Sequence, residues 1–140
     1  MSNNDQEYSK IWRVREDVAF SAKMTGKVLS YDVSFHVGQW ENLLEDLRKH
    51  LPHVQILGYG HIGDGNLHIN VCTQNNETIN DREVFERVTK YKGSISAEHG
   101  IANKIEYLHL QKSPEVLDIH KKIKTMFDPK GIMNPYKCIP

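Results

Sequence analysis

Asp64-Gly65 lies between two stretches that can form strands, and this pairing constrains the fold more tightly than any other feature of the chain. Asp-Gly in that setting is the strongest short-range signal for a β-hairpin. With Asp64 and Gly65 as the central turn residues, Gly63 is expected opposite Asn66, Ile62 opposite Leu67, and His61 opposite His68. Directly opposed residues of an antiparallel pair share a face, with Cβ atoms roughly 5 Å apart. Two imidazoles at that separation could close on one metal ion. On the returning strand Leu67, Ile69 and Val71 point one way while His68, Asn70 and Cys72 point the other. The histidine and the amide therefore share the face turned away from the core.

The rest of the chain supplies helices to cover such a hairpin. Tyr8, Ile11, Trp12, Val18, Ala19 and Ala22 recur at helical spacing, and at 100° per residue Arg15 falls near the centre of their stripe. A charge in that position needs a partner or a ligand, with a snorkelling or salt-bridged arginine as the plainer alternative. Lys27–Phe35 alternates as a strand, and Trp40, Leu43, Leu44 and Leu47 make a second helix stopped near Pro52. Val54–Tyr59 and Leu67–Thr73 are the hairpin strands, Asp81–Tyr91 a third helix, and Gly93–Ala97 a short last strand. Ser113-Pro114 opens a final helix with an N-cap and a proline at its first position. Its buried stripe is expected to be Val116, Ile119, Ile123, Met126 and Phe127, and Asp128-Pro129-Lys130-Gly131 ends it. The order α-β-α-β-β-α-β-α predicts an α+β fold, an antiparallel or mixed sheet covered by helices.

A chain of 140 residues is long enough for one core. Acids and bases balance at 18 each, so bulk charge argues for neither nucleic acid nor an anionic membrane. No apolar run approaches the ~20 residues that span a bilayer, and a hydrophobic content of 39% fits a soluble protein. Cys72 and Cys138 are distant and form no Cys-x-x-Cys, which suggests a reducing compartment. Residues 1–10 are expected as a polar or disordered lead, with neither the apolar core of a signal peptide nor the Arg-rich, acid-poor character of a transit peptide. Residues 11–140 are expected as one domain.

A second glycine-marked turn, Ser96-Ala97-Glu98-His99-Gly100, carries the remaining chemistry. Neutral imidazole and carboxylate suit zinc, manganese or ferrous iron. His61 and His68 could supply two nitrogens and Glu98 an oxygen, leaving a position open as catalytic sites do. His99, adjacent to Glu98, could stand beside the metal as a general base. The competing reading is a hairpin with two surface histidines and an unrelated Glu-His pair. His36, His50, His53, His109 and His120 read as ordinary surface or half-buried histidines. Gly58-x-Gly60-x-x-Gly63 has dinucleotide-fingerprint spacing, yet it runs into a strand where a phosphate loop needs a helix N-terminus.

Gly58-Tyr59-Gly60-His61-Ile62-Gly63-Asp64-Gly65-Asn66-Leu67-His68-Ile69-Asn70 resembles the signature of the C-terminal domain of FAD-linked oxidases. Gly93-Ser94-Ile95-Ser96-Ala97-Glu98-His99-Gly100-Ile101 and Phe127-Asp128-Pro129-Lys130-Gly131-Ile132-Met133-Asn134-Pro135 resemble the next two blocks of that family, in order. Together with the ending Asn134-Pro135-Tyr136-Lys137, they are most similar to the branch that oxidises D-2-hydroxyglutarate. The resemblance runs from about Ile11 to Pro140. It implies oxidation of a D-2-hydroxy acid, D-2-hydroxyglutarate or a relative such as D-lactate, to the 2-oxo acid with hydride transfer to FAD. It further implies His61, His68 and Glu98 as ligands of zinc or a similar divalent metal, and His99 as the base that takes the hydroxyl proton. Asn70 is implied as a substrate-contacting amide and Arg15 as the arginine that holds a substrate carboxylate, a natural guanidinium role. Asn134 is implied as a flavin contact, and the resemblance points to mitochondria, with the cytoplasm as the alternative.

Two positions depart from the family pattern: Ala19 stands where a threonine is expected and Ser30 where a lysine is expected, both contacts to the far end of a dicarboxylate. Ala102 stands where a glycine is usual. The family's FAD-binding domain precedes this region, and no segment here replaces it. The chain is therefore expected to act with an FAD-binding domain in cis or in trans and to be inactive alone. The alternative function is a non-catalytic metal-binding or interaction domain derived from such an enzyme.

Overall fold

A computed structural model of the chain describes residues 5–24, 26–74, 77–137 and 139, with the backbone alone at 22, 23, 102 and 103. The Ala22 side chain, the Ala102 side chain and Cys138 lie outside the described residues. The elements are α1 (Asp5–Lys23), β1 (Lys27–Ser34), α2 (Trp40–His50), β2 (Gln55–His61), β3 (Asn66–Thr73), α3 (Asp81–Lys90) and α4 (Pro114–Phe127). Short 3₁₀ helices form at Val37–Gln39 and Ala102–Leu110. The strands make one antiparallel sheet in the order β1-β3-β2, so the α+β architecture expected from the sequence is the one observed. Expected strand Gly93–Ala97 is reduced to a single bridge, in which Ser34 and Ser94 exchange backbone hydrogen bonds of 3.1 and 2.7 Å.

The core follows from the period-2 alternation. Val33, Leu67, Ile69 and Val71 face one side of the sheet and are fully buried against Leu43 and Leu47 of α2 and Val84, Phe85 and Val88 of α3. Fully burying one such side chain contributes about 1.5–3 kcal/mol. Exposed ion pairs contribute a median of about 0–1 kcal/mol, so this face holds the domain together. Helix starts agree with their capping residues: Asn80 accepts from the Arg82 N–H, and Ser113 accepts from the Val116 N–H with Pro114 in the first turn.

Two apolar stripes do not enter the core. Tyr8, Ile11, Trp12 and Val18 of α1 are exposed, as are Val116, Ile119, Ile123, Met126 and Phe127 of α4. Periodicity identifies the face of a helix that gains from being covered; it does not say what covers it. Arg15, expected on a buried stripe, is about half exposed, 2.6 Å from Glu16 and over the Trp12 ring at 5.2 Å. Ala19 is half-buried where α1 crosses β1 and β2.

Candidate metal and substrate site

The sheet face opposite the core is polar in every central rung. Register places Ser34, Asn66 and His61 side by side, then Asp32, His68 and Tyr59, then Ser30, Asn70 and Leu57. The hairpin register differs from the expected one: His61 is opposite Asn66 and His68 is opposite Tyr59. The cause is local. Asp64 uses its side chain to accept the Asn66 N–H at 3.0 Å, and the Gly65 N–H reaches back to the His61 carbonyl at 3.1 Å. Ile62–Gly65 thus forms a four-residue loop, closed by Gly65 at a φ of +75°. His61 and His68 are diagonal neighbours, and their rings still meet edge-on at 5.4 Å between centroids.

The second turn reaches across to this pair. Glu98 Oε1 lies 3.1 Å from His68 Nε2, 3.2 Å from His99 Nε2 and 4.0 Å from His61 Nε2. Donor atoms around a tetrahedral zinc at ~2.0–2.1 Å stand roughly 3.3 Å apart. Three imidazole nitrogens thus stand 3.1 to 4.0 Å from one carboxylate oxygen, donor atoms of the kind divalent ions take. Among the described residues, the group whose ligand atoms all lie within 4.8 Å of one another is Asp32, His68, Glu98 and His99, which includes Asp32 and not the expected His61.

A cavity of about 670 Å³ opens beside this set, lined by His61, His68, Glu98 and His99 and also by Arg15, Ala19, Ser30, Asn70 and Lys104. The Ser30 hydroxyl donates to Asn70 Oδ1 at 2.8 Å, while the buried Asn70 Nδ2 has no hydrogen-bond partner among the described residues. A buried amide donor without a partner is costly, and Asn70 is among the residues lining the cavity. Arg15, Asn70, His61, His68, Glu98 and His99 are thus brought to one place. Asn134 sits apart, in an exposed turn at a φ of +47° that does not line the cavity.

Lys104 and Asp32 are among the lining residues that the sequence reading did not single out. Lys104 is half-buried, its ammonium over the Phe85 ring at 5.6 Å, and burial lowers its pKa from the ordinary value. No sequence signal marked it, because the 3₁₀ helix that carries it had no recognisable period. Asp32 is 5% exposed and accepts from Asn66 Nδ2 at 2.7 Å and from the backbone N–H groups of Ala97 and His99 at 3.1 and 2.9 Å. Its signal was available: an acid within an alternating strand, on the same face as the polar residues of β3.

Burial alone would raise the Asp32 carboxyl, but the donated hydrogen bonds from His99, Asn66 and Ala97 outweigh it and hold the group below the ordinary carboxylate range. Asp128 is held low as well, by Lys124 first and by the N–H groups of Met133 and Ile132. A carboxyl whose pKa is depressed on folding contributes stability that is fully present above the unfolded value of about 3.9 and disappears as pH falls through the folded value. The urea midpoint is therefore expected to drop as pH falls below about 4. A midpoint unchanged on acidification below that pH would contradict the assignment.

The chain matches, over residues 1–138, the family described as FAD linked oxidases, C-terminal domain. It is 43% identical over 94% of its length to D-2-hydroxyglutarate dehydrogenase, mitochondrial, of Arabidopsis thaliana, covering 25% of that protein. It is 36% identical over its full length to the Bos taurus protein of the same name, covering 27% of it. To D-2-hydroxyglutarate dehydrogenase of Stutzerimonas stutzeri it is 37% identical over 98% of its length, covering 32%. The chain thus spans between a quarter and a third of the length of these relatives.

Proposed function

The chain belongs to the family of FAD linked oxidases, C-terminal domain, and from that membership we propose that it is the metal- and substrate-binding part of an FAD-dependent D-2-hydroxy acid dehydrogenase. The substrate is D-2-hydroxyglutarate or a related D-2-hydroxy acid, oxidised to the 2-oxo acid. The FAD-binding domain is supplied in cis or in trans. One observation carries the reading: His61, His68 and Glu98 converge on a cavity that also presents the unpartnered Asn70 amide, the His99 imidazole and the Arg15 guanidinium.

When bound, a divalent metal supplies Lewis acidity to a hydroxyl beside it and FAD supplies a hydride acceptor. His61 Nε2, His68 Nε2 and Glu98 Oε1 hold the metal in this reading. Asp32 is a poorer ligand, because both its oxygens already accept hydrogen bonds. Arg15, on α1 above the sheet, presents its fork to the substrate carboxylate. Asn70 Nδ2 donates to a substrate oxygen, its amide oriented by the Ser30 hydroxyl. His99 would take the hydroxyl proton of the substrate on a ring nitrogen; its Nε2 lies 3.2 Å from Glu98 Oε1, at the edge of the donor set.

Among the described residues no helix is long and apolar enough to cross a membrane. The Arabidopsis and Bos relatives are named mitochondrial, and the same compartment is proposed for this chain.

The test mixes the chain with the FAD-binding portion of one of these dehydrogenases and follows dye reduction by D-2-hydroxyglutarate and D-lactate. Zinc-dependent reduction with at least one acid is expected, and none from the chain alone. Stoichiometric zinc without activity on either acid would instead favour a non-catalytic metal-binding domain derived from the enzyme.

A further inference from the structure

Asp32 belongs to none of the groups given a role above, yet it touches both halves of the donor set. It sits at the middle of β1, directly across the ladder from His68 and on the same face. A carboxylate this deeply buried is stable only with donors around it. Its Oδ2 accepts the backbone N–H groups of Ala97 and His99, the two residues that flank Glu98. Its Oδ1 accepts from Asn66 Nδ2 and lies 3.5 Å from His68 Nδ1. The other nitrogen of that ring, Nε2, faces Glu98 Oε1 at 3.1 Å.

These contacts have a common consequence. Pinning the amides on either side of Glu98 fixes where that carboxylate and the His99 ring project from an otherwise exposed turn. The His68 ring is held between two carboxylates, Asp32 Oδ1 at 3.5 Å from Nδ1 and Glu98 Oε1 at 3.1 Å from Nε2, which fixes the direction in which it presents Nε2.

Resting on the ligand assignment of His68 and Glu98, we propose that Asp32 is the positioning residue of this site. It orients the His68 ring and holds the Glu98–His99 segment against the sheet, so that the donor set is assembled before any metal arrives. It acts through those residues rather than as a ligand.

The first measurement needs neither metal nor variant. Amide hydrogen exchange of the metal-free chain is expected to show the Ala97 and His99 N–H groups protected well above the other amides of the exposed 96–100 turn. Exchange of both at unprotected rates would overturn the proposal. The second compares zinc affinity, by chelator competition, in the unsubstituted chain and in Asp32→Asn. A loss of about 10–100-fold with one zinc still bound is expected, the size of effect that removing an orienting partner has. Unchanged affinity overturns the proposal, and so does loss as complete as in a His68 variant, which would make Asp32 a ligand. If the unsubstituted chain binds no zinc, or Asp32→Asn does not fold, the protection of the Ala97 and His99 amides in the unsubstituted chain decides the matter. The failure of the metal reading and the failure of this proposal thus remain distinguishable.

Discussion

Replacing His68 with alanine should strip the chain of bound zinc while leaving its fold in place. His68 is the most enclosed of the three proposed ligands, with its side chain 14% exposed, and it lies at the centre of the cluster. Its ring is 5.4 Å from that of His61, 5.8 Å from that of His99 and 5.3 Å from that of Tyr59. Spread over three or four ligands, the binding free energies typical of protein zinc sites assign each a few kcal/mol, so affinity should fall by on the order of 10²–10³-fold. The fold should tolerate the change, because Leu67, Ile69 and Val71 carry the packing of β3 from its other face. Metal content after exhaustive dialysis, measured beside the thermal midpoint of the metal-free protein, separates the two effects. A variant that keeps one tightly held zinc would remove His68 from the ligand set.

Replacing Gly60 with alanine should do the reverse and disrupt the hairpin itself. A Cβ there would overlap the Asn66 carbonyl oxygen and stand 2.9 Å from Leu67 Cα. Both are backbone atoms of the strand to which Gly60 is paired, so no rotamer change relieves the contact. Relief requires β2 to move off β3, and His61 moves with it. Overpacking of this severity is expected to cost at least about 3 kcal/mol, with correspondingly weaker metal binding. Gly63 is the internal control: a Cβ there meets nothing within 4 Å, and its φ is not in the left-handed region, so Gly63→Ala should be close to neutral. Denaturant midpoints of the two variants would check this, and equal midpoints would contradict the hairpin geometry.

The sequence carried the strands, the helices and the two-faced character of β3, because alternation and capping are local properties. It misplaced the hairpin register because an Asp-Gly pair signals that a turn occurs without saying which bonds close it. Here the Asp64 side chain takes the Asn66 N–H that a two-residue turn would have used otherwise. His61, His68, Glu98 and His99 were legible as chemistry since their residue types and glycine-marked turns stand out. Asp32 was visible as an acid on the polar face of an alternating strand, but its importance was not, because that rests on donors 34, 65 and 67 residues away. The stripes of α1 and α4 were read as buried because helical period records a preference for cover and is silent on its source. The short strand at Gly93–Ala97 came down to one bridge, since five residues with glycine at the start have little to pair with beyond Ser34.

β3 serves two purposes through consecutive residues: Leu67, Ile69 and Val71 hold up the core, and the intervening Asn66, His68 and Asn70 furnish the site. Point changes can therefore explore one role while the other stands still, which lets a cavity diversify its chemistry on an unchanged scaffold. Insertions and deletions have no such freedom. Adding or losing a single residue within Asn66–Thr73 would exchange the two series, presenting leucine and isoleucine to the cavity and imidazole to the core. Diversification of this strand must then proceed by substitution, with changes of length confined to the loops at its ends.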